Sequence, residues 1–338
     1  VSKILIISDA WTPQINGVVT TLTNIYDQAQ KNKDNITIVH PGTFGCTIKN
    51  DYPNLSFFHA KVDIIKKFIF DDFDYIHIAT PETCLGYQFS RACRKFHIPY
   101  TCAYHTKFPE FLNANYHIPI AIGWSWIRHV LKDADNIITT TTSMVVELER
   151  KISNKNITPW TRGVNHDIFR LGDRCNNIRK ICGSPIIISV GRISTEKGLE
   201  DLCKVSLGDR ATKIIIGDGP DKPWLEKKYP DVMFIGYQTA DQLVRWYQSA
   251  DCFVFTSKKD TFGAVMLEAM ACGTPIAAYP VTGPIDIIKN GVNGWLDNNI
   301  GIAIKKCLDL DRKKVYNESI RFSWAECYQQ FKNALVKR

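Results

Sequence analysis

Short apolar runs alternate with helix-like segments along the first part of the chain. Their β-branched and aromatic residues, bounded by polar or turn-forming residues, are typical of strands. The runs are Lys3–Ser8, Ile36–Val39, Tyr75–Ala79, Tyr100–Tyr104 and Asn136–Thr141. Helix-like stretches lie between most of them, the first from about Val18 to Gln30. This half of the chain therefore predicts alternating strands and helices.

The same pattern restarts further along the chain with runs that are more continuously apolar. Such runs suit strands that are buried on both faces of a parallel sheet. They are Pro185–Gly191, Thr212–Gly217, Val232–Gly236, Asp251–Ser257 and Pro275–Tyr279. Two separate series of alternating strands and helices predict an α/β protein with two doubly wound, Rossmann-like parallel-sheet domains.

The join between the two series is the polar, glycine-bearing stretch Arg162–Ser184, which we interpret as a linker. The last segment, from Phe322, has apolar residues at helical spacing, with Ser323 as a candidate cap. We expect residues 1–168, together with a C-terminal helix at about 322–338, to form an N-terminal domain. Residues 169–321 would form the second domain.

Composition narrows the class of protein. The 338 residues suffice for two ordinary domains, and 45% apolar and 22% charged residues are typical of globular proteins. No apolar run approaches the roughly 20 residues that span a bilayer, and the N-terminal segment favours a strand over a leader sequence. Eleven scattered cysteines without a CxxC pair predict free thiols in a reducing, cytoplasmic compartment. The net charge of +8 favours anionic small molecules or a membrane surface over nucleic acid.

The stretch DTFGAVMLEA, residues 260–269, carries two acids, Asp260 and Glu268. It follows a predicted buried strand and opens a predicted helix that ends at Gly273. Ligands of open α/β sheets bind at the carboxyl ends of strands, and helix N-termini attract phosphate. The sequence therefore predicts a phosphate-bearing ligand here, near the free backbone amides of the helix N-terminus. The alternative is an ordinary helix-start acid and a surface glutamate.

Other polar breaks after strands fit an anionic ligand. Arg192 and Lys197 follow one predicted strand and could neutralise a diphosphate; the alternative is two solvated surface cations. Gly217 lies in a Gly-Asp-Gly-Pro turn without the GxGxxG spacing of dehydrogenases. Gly17 allows close backbone approach, and the helix from Val18 would offer its N-terminus to an anion.

These segments, in this order, resemble the family 4 retaining glycosyltransferases of the GT-B fold, over essentially the whole chain. The matching motifs are DAWTPQINGVVTTL, HIATPET, YHTKFPE, TRGVNHDIF, GRISTEKG, GDGP, the long stretch from ADCFVF to VTGP, and NGVNGWL. The closing RFSWAECYQQF is similar to the branch of GDP-mannose-dependent α-mannosyltransferases and sulfoquinovosyl transferases. The resemblance implies two domains that face each other across a cleft.

The resemblance also implies roles. Asp260 stands where the family usually has glutamate and would bind hydroxyls of the donor sugar, while Glu268 would bind the ribose. Arg192 and Lys197 would bind the diphosphate. Further donor-binding positions are Gly17, Gly217, Phe262, Gly263 and Ala264; His105 would lie beside the anomeric carbon; and Tyr104, Thr106 and Glu110 are acceptor-side candidates.

The implied reaction is transfer of a hexose from a GDP- or UDP-linked sugar to a hydroxyl, with retention of configuration. We expect no metal and no other cofactor; the DxD strings at 72–74, 133–135 and 309–311 have structural explanations. Arg192, Lys197 and helix amides would stabilise the charge that builds on the departing diphosphate.

The acceptor is less constrained by the sequence. Lys61–Phe73 and Ile118–Lys132 mix basic with apolar residues, which is compatible with a membrane surface and a lipid acceptor or with ordinary core-facing helices. A glycan or soluble polyol acceptor stays open. Two rival functions also stay open, a sugar-nucleotide epimerase of the same fold and a nucleotide-sugar binding protein without turnover.

Overall fold

The computed structural model of the chain describes residues 1–14, 16–46, 60–153, 156–208 and 211–338. They form two compact units. The first unit is Val1–Arg162 with Trp324–Arg338, and the second unit is Gly163–Ser323. Each unit has a six-stranded sheet whose described strand pairs are all parallel. The predicted α/β class with two doubly wound sheets is therefore confirmed.

The first unit alternates strands and helices around a sheet of order β2-β1-β3-β4-β5-β6. Its strands are β1 (Lys3–Ile7), β2 (Asn35–Val39), β3 (Tyr75–Ile78), β4 (Thr101–Tyr104), β5 (Asn136–Thr139) and β6 (Ile157–Pro159). Its described helices up to this point are α1 (Gly17–Lys31), α2 (Val62–Phe70), α3 (Cys84–Lys95), α4 (Phe108–Tyr116), α5 (Ile120–Leu131) and α6 (Thr142–Glu149), with a 3-10 turn at Pro41–Phe44.

The second unit has the strand order β12-β11-β10-β7-β8-β9. Its strands are β7 (Ile186–Val190), β8 (Thr212–Ile216), β9 (Val232–Gly236), β10 (Cys252–Phe255), β11 (Ile276–Ala278) and β12 (Gly294–Leu296). The described helices are α7 (Asn176–Cys182), α8 (Glu200–Lys204), α9 (Lys222–Lys228), α10 (Ala240–Ser249), α11 (Val265–Ala271), α12 (Pro284–Ile287), α13 (Ile300–Cys307) and α14 (Arg312–Ser319), with a 3-10 turn at Thr195–Lys197.

Both sheets are buried on both faces, which explains the continuous apolar runs. In β1, Leu5 and Ile7 pack into one core cluster, whereas Ile4 and Ile6 pack into another. In β10, Phe253 and Phe255 likewise lie in one cluster, and the alternating Cys252 and Val254 lie in a second. Successive strand side chains point to opposite faces, so a strand with helices on both faces has no polar alternation.

The chain returns to the first unit through a last helix, α15 (Trp324–Ala334). Its apolar residues Tyr328 and Phe331 pack into the cluster that α1 and β1 also line. The buried carboxylate of Asp34 accepts hydrogen bonds from Lys332 Nζ at 2.6 Å and Tyr328 Oη at 2.7 Å. Burial opposes ionisation of Asp34, but these two hydrogen bonds prevail and lower its pKa to about 2.

Three short elements differ from the expectation. Strands β6 and β12 are three residues each, too short to give an apolar run, and β6 lies at the sheet edge, where its proline is tolerated. Helix α7 lies inside the stretch interpreted as a linker, where no helix was predicted. The two units divide after Arg162 and after Ser323, and the boundaries expected from the sequence lie after residues 168 and 321.

The structure also shows the state of the cysteines and the length and apolar character of the described helices. All eleven cysteines are free thiols, and eight of them are buried. Among the described helices, none is both long enough and apolar enough to cross a bilayer.

Candidate functional site

The second sheet reverses its strand order between β7 and β10. At such a switch point the loops that follow the two strands diverge and leave room for a ligand. The loop after β7 carries Arg192 and Lys197, and the loop after β10 carries Asp260 and the turn at Phe262–Gly263. The predicted donor-side residues therefore flank the position in this sheet where open α/β folds bind ligands.

Lys197 and Asp260 form an ion pair across this switch point. The Lys197 ammonium lies 2.8 Å from both Oδ1 and Oδ2 of Asp260. Their side chains are 29% and 23% exposed, so both groups stay within reach of solvent. Each of the two residues was predicted to bind a ligand, but their bond to each other was not predicted.

Two hydroxyls at the end of β10 fix the backbone on the other side of the switch point. Thr256 Oγ1 donates to the carbonyl of Lys197 at 2.7 Å, and Ser257 Oγ donates to the carbonyl of Glu196 at 3.2 Å. These bonds hold the segment that presents Lys197 while its side chain remains outside the core. Thr256 and Ser257 were not among the predicted site residues.

Glycines allow the neighbouring loops to pack closely. Gly217 has φ +139°, and a Cβ there would lie 2.0 Å from the carbonyl oxygen of Gly191. Gly219 is similar, since its Cβ would lie 2.3 Å from the carbonyl oxygen of Ile193. Any other residue at Gly217 would push apart the loop that carries Arg192, whose side chain is exposed.

The turn before α11 is tight, and the helix begins later than predicted. Phe262 is buried, Gly263 has φ +85°, and a Cβ at Gly263 would collide with the Phe255 ring at 2.6 Å. The helix starts at Val265 instead of Gly263, so Ala264 is its exposed flanking residue. Glu268 accordingly lies in the first turn of α11. The predicted position, about a turn and a half into the helix, was wrong because the helix begins two residues later.

Glu268 is held by a tyrosine that the sequence analysis missed. Tyr247 of α10 is fully buried, and its hydroxyl donates to Glu268 Oε2 at 3.0 Å. Burial raises the pKa of Glu268 to about 7, and the tyrosine hydrogen bond partly offsets this. The carboxyl therefore changes charge near neutral pH, which is a property of groups at functional sites more often than elsewhere.

In the first unit, His105 follows β4 and contacts Arg162. Arg162 Nη2 lies 2.7 Å from His105 Nδ1, and the guanidinium lies 4.4 Å from the centre of the Trp160 ring. Burial, then the Arg162 charge and then His77 hold the pKa of His105 well below its usual value. The imidazole is therefore neutral at physiological pH.

Gly17 is the first residue of α1, and its surroundings are open. A Cβ there would meet none of the described residues within 4 Å, so their packing around Gly17 does not require a glycine. Asn16 caps the helix, with its Oδ1 accepting from the amides of Val18 and Val19 at 3.0 Å each. These two amides are thus already bonded, which corrects the expectation that the helix start from Val18 is open to an anion.

The three acceptor-side candidates differ in position. Tyr104 is 2% exposed and stacks on Trp124 in the core, so its burial argues against direct acceptor contact. Thr106 lies in the partly exposed loop between β4 and α4. Glu110 is partly buried in the first turn of α4, and burial raises its pKa.

No cluster of His, Cys, Asp or Glu suited to a metal occurs within the described ranges. The DxD strings have structural contacts instead. Asp72 pairs with Lys3, Asp133 pairs with Arg94, and Asp311 caps α14.

Comparisons with known proteins cover both units. The family described as "Glycosyltransferase Family 4" matches residues 15–168, and the family described as "Glycosyl transferases group 1" matches residues 176–299. A GDP-mannose-dependent alpha-mannosyltransferase of Corynebacterium glutamicum is 28% identical over 323 residues, with 87% of this chain and 76% of that protein covered. Sulfoquinovosyl transferase SQD2 of Arabidopsis thaliana is 30% identical over 239 residues, with 67% of this chain and 47% of that protein covered.

A solved structure resembles the chain over nearly its full length. The Anabaena protein HepE, in complex with UDP and glucose, has a TM-score of 0.71 with 98% of both chains covered. Its sequence identity is 16%, so this likeness concerns the fold alone.

Proposed function

Since the chain belongs to the family 4 glycosyltransferases of the GT-B fold, we propose that it is a retaining α-glycosyltransferase that moves a hexose from a nucleotide sugar to a lipid or glycan hydroxyl. GDP-mannose is the first donor to test, because the matched C. glutamicum protein is named for it. UDP-linked hexoses are the second choice, because HepE was solved with UDP and glucose. The observation that carries the proposal is the Lys197–Asp260 pair at the switch point of the second sheet.

Breaking the bond between sugar and phosphate leaves negative charge on the diphosphate. Groups that are already oriented toward that charge lower the barrier. Lys197, on its hydrogen-bonded loop, and exposed Arg192 supply two such cations. The backbone around Gly217, Gly263 and Ala264 lets the ligand approach closely.

The ion pair suits a ligand that carries both a diphosphate and a sugar. An ammonium group has three donors, so Lys197 can hold a phosphate oxygen while it keeps one bond to Asp260. The remaining capacity of the Asp260 carboxylate then accepts from a sugar hydroxyl. Aspartate is one methylene shorter than the usual glutamate, which keeps its carboxylate closer to its own backbone.

Glu268 would accept from the ribose hydroxyls. Its Oε2 accepts from Tyr247, which leaves lone pairs on Oε1 for the ligand. Because a protonated carboxyl is a poorer acceptor, donor affinity should rise with pH through about 7. His105, a neutral imidazole, would donate a hydrogen bond to the sugar, and the departing phosphate would take the acceptor proton.

A lipid acceptor has support on α2 of the first unit. Val62, Ile64 and Phe70 are exposed apolar residues, and Lys66 and Lys67 lie on the same helix. Exposed apolar groups beside cations favour the surface of an anionic bilayer. We therefore propose peripheral membrane association with a lipid or lipid-linked acceptor.

The decisive assay incubates the purified chain with radiolabelled GDP-mannose, UDP-glucose and UDP-galactose, each with and without a lipid extract and without added metal. The proposal expects label from one donor, GDP-mannose first, to move to a product, with the Lys197→Ala variant as the matched negative control. Label in an organic-extractable product indicates a lipid acceptor, and label in a water-soluble product indicates a glycan or polyol.

Two outcomes would contradict transfer. Interconversion of the free nucleotide sugar indicates the epimerase, and saturable binding without any turnover across the panel indicates a binding protein. Mass spectrometry of the recovered nucleotide sugar separates these two results.

A further inference from the structure

Arg162 is a buried arginine whose contacts are unusual for its charge. It is 6% exposed, and its Nη1 donates to the carbonyls of Trp160 at 2.8 Å and Thr161 at 3.0 Å. Among the residues the structure describes, no carboxylate lies within 4 Å of its guanidinium. Burying an arginine without a carboxylate is costly, so this arrangement invites a functional explanation.

The remaining contact of Arg162 is with His105. Nη2 of the guanidinium lies 2.7 Å from His105 Nδ1, and both side chains lie against the Trp160 ring, at 4.4 Å and 5.4 Å between centres. A guanidinium has donors only. His105 Nδ1 must therefore be the acceptor, and a neutral imidazole whose Nδ1 is bare carries its proton on Nε2.

We propose that Arg162 is a positioning residue that fixes His105 as the neutral Nε2–H tautomer, a role that rests on the proposed function of His105 beside the donor sugar. In this form His105 can donate a hydrogen bond through Nε2 but cannot accept a proton there. It therefore acts as a fixed donor and not as a general base.

The neighbouring groups favour the same state. The pKa of His105 is held down by burial, by the Arg162 cation and by the buried ring of His77. Arg162 keeps its charge, since burial lowers its pKa only to about 10, and Cys327, the other titratable group acting on it, raises that value. Arg162 thus stays protonated wherever His105 would otherwise titrate.

The primary experiment is ¹⁵N NMR of histidine-labelled protein, with the His105 signals assigned by their loss in His105→Asn. The wild-type protein should show an unprotonated Nδ1 and a protonated Nε2, unchanged from pH 8 to pH 5.5. A protonated Nδ1, or a normal titration of His105 in that range, would overturn the proposal. This readout does not depend on any enzymatic activity.

The second arm uses Arg162→Met, which keeps the volume but removes the charge and the donors. We expect His105 to populate both tautomers and to titrate, and kcat for transfer to fall about tenfold or more while KM for the donor changes little. Arg162→Lys should restore in part the wild-type response of the His105 signals to pH. The lysine returns the positive charge but not the planar guanidinium with its several donors.

Arg312→Met is the matched control, because Arg312 is a partly buried arginine that also donates to carbonyls, those of Gly273, Gln248 and Cys272. It should leave the His105 spectrum and kcat unchanged. Equal changes in both variants, or an unchanged His105 spectrum in Arg162→Met, would contradict the positioning role. If Arg162→Met does not fold, the wild-type spectrum alone decides. If no donor is transferred, the spectra still test the tautomer separately from the function.

Discussion

The edges of the two sheets present their polar residues in opposite ways. At the switch point of the second sheet, Lys197 and Asp260 are partly exposed and bond to each other. Behind β4 of the first sheet, Arg162 is buried against Trp160 and donates to backbone carbonyls and to the partly buried His105. Partly exposed charges can exchange partners when a ligand arrives, whereas enclosed groups keep one geometry. The switch point of the second sheet thus suits binding a charged ligand. The β4 end of the first sheet suits holding one hydrogen-bond donor in a fixed orientation.

The largest effect on transfer is expected from replacing Lys197, the partly exposed cation at the switch point. Lys197→Ala should lower kcat/KM for transfer by about 10²–10³-fold, because one preorganised charge facing a leaving group is worth that much. Lys204→Ala is the control, since Lys204 is also a lysine paired with an acid, Glu200, but lies outside the proposed site. A Lys197→Ala variant with near-wild-type rates and an intact circular dichroism spectrum would remove the role assigned to Lys197.

Asp260 should have the next largest effect. Asp260→Asn should lower kcat/KM by about 10- to 100-fold, as expected for a hydrogen bond to a charged group. Its effect on stability should be below about 1 kcal/mol, because the ion pair is partly solvated. Steady-state rates for two hexose donors, together with urea unfolding, check both parts; a large loss of stability with unchanged rates would make the pair structural only.

The buried His77 should make the stability of the first unit depend on pH in the acid range. His77 is fully buried among Trp160 and Phe331, and burial lowers its pKa to about 3. Between that value and the ordinary value of 6.5, the unfolded chain binds a proton that the folded chain does not. Stability of the first unit is therefore complete above pH 6.5 and should fall by about 1.4 kcal/mol for each pH unit below it.

His77→Leu should remove this dependence, while His129→Gln, at an exposed position, should not. Hydrogen exchange of the β3 amides between pH 7 and pH 5 is the measurement. An identical pH dependence in wild type and His77→Leu would show that another group governs the acid response.

The smallest effect is expected at Tyr247, which donates a hydrogen bond to Glu268. Tyr247→Phe removes the hydrogen bond that lowers the Glu268 pKa, so the pH midpoint of nucleotide binding should move upward. Affinity at pH 7 should fall roughly two- to tenfold, the range for one neutral hydrogen bond. Titration calorimetry with GDP and UDP from pH 6 to pH 8 measures both quantities.

Tyr229→Phe is the matched control for Tyr247→Phe. Tyr229 also donates to a glutamate, Glu200, but on a different part of the second unit. It should leave the binding midpoint unchanged. A downward shift for Tyr247→Phe, or equal shifts for both variants, would argue against Glu268 as the titrating ligand.

The sequence was most informative where local pattern decides the structure. Strands buried on both faces appear as apolar runs, and the loops that follow them hold Lys197 and Asp260, 63 residues apart in the chain. The parallel order of β7 and β10 brings these loops to one edge, so knowing the strands was enough to expect a common site.

Other contacts depend on packing that no local pattern reveals. The bond between Arg162 and His105 spans 57 residues, and the bond between Tyr247 and Glu268 spans 21. Tyr104 was an acceptor-side candidate, but its position at the end of a buried strand places its side chain in the core. Each of these outcomes depends on which face of an element meets which neighbour.

The central claim is that the second sheet binds a diphosphate at its switch point. Crystal structures of the chain with GDP and, in parallel, with UDP test this claim most directly. The account predicts pyrophosphate oxygens within hydrogen-bond distance of Lys197 Nζ and the Arg192 guanidinium, with the ribose against Glu268. A nucleotide bound with its pyrophosphate away from the loops that follow β7 and β10 would contradict it.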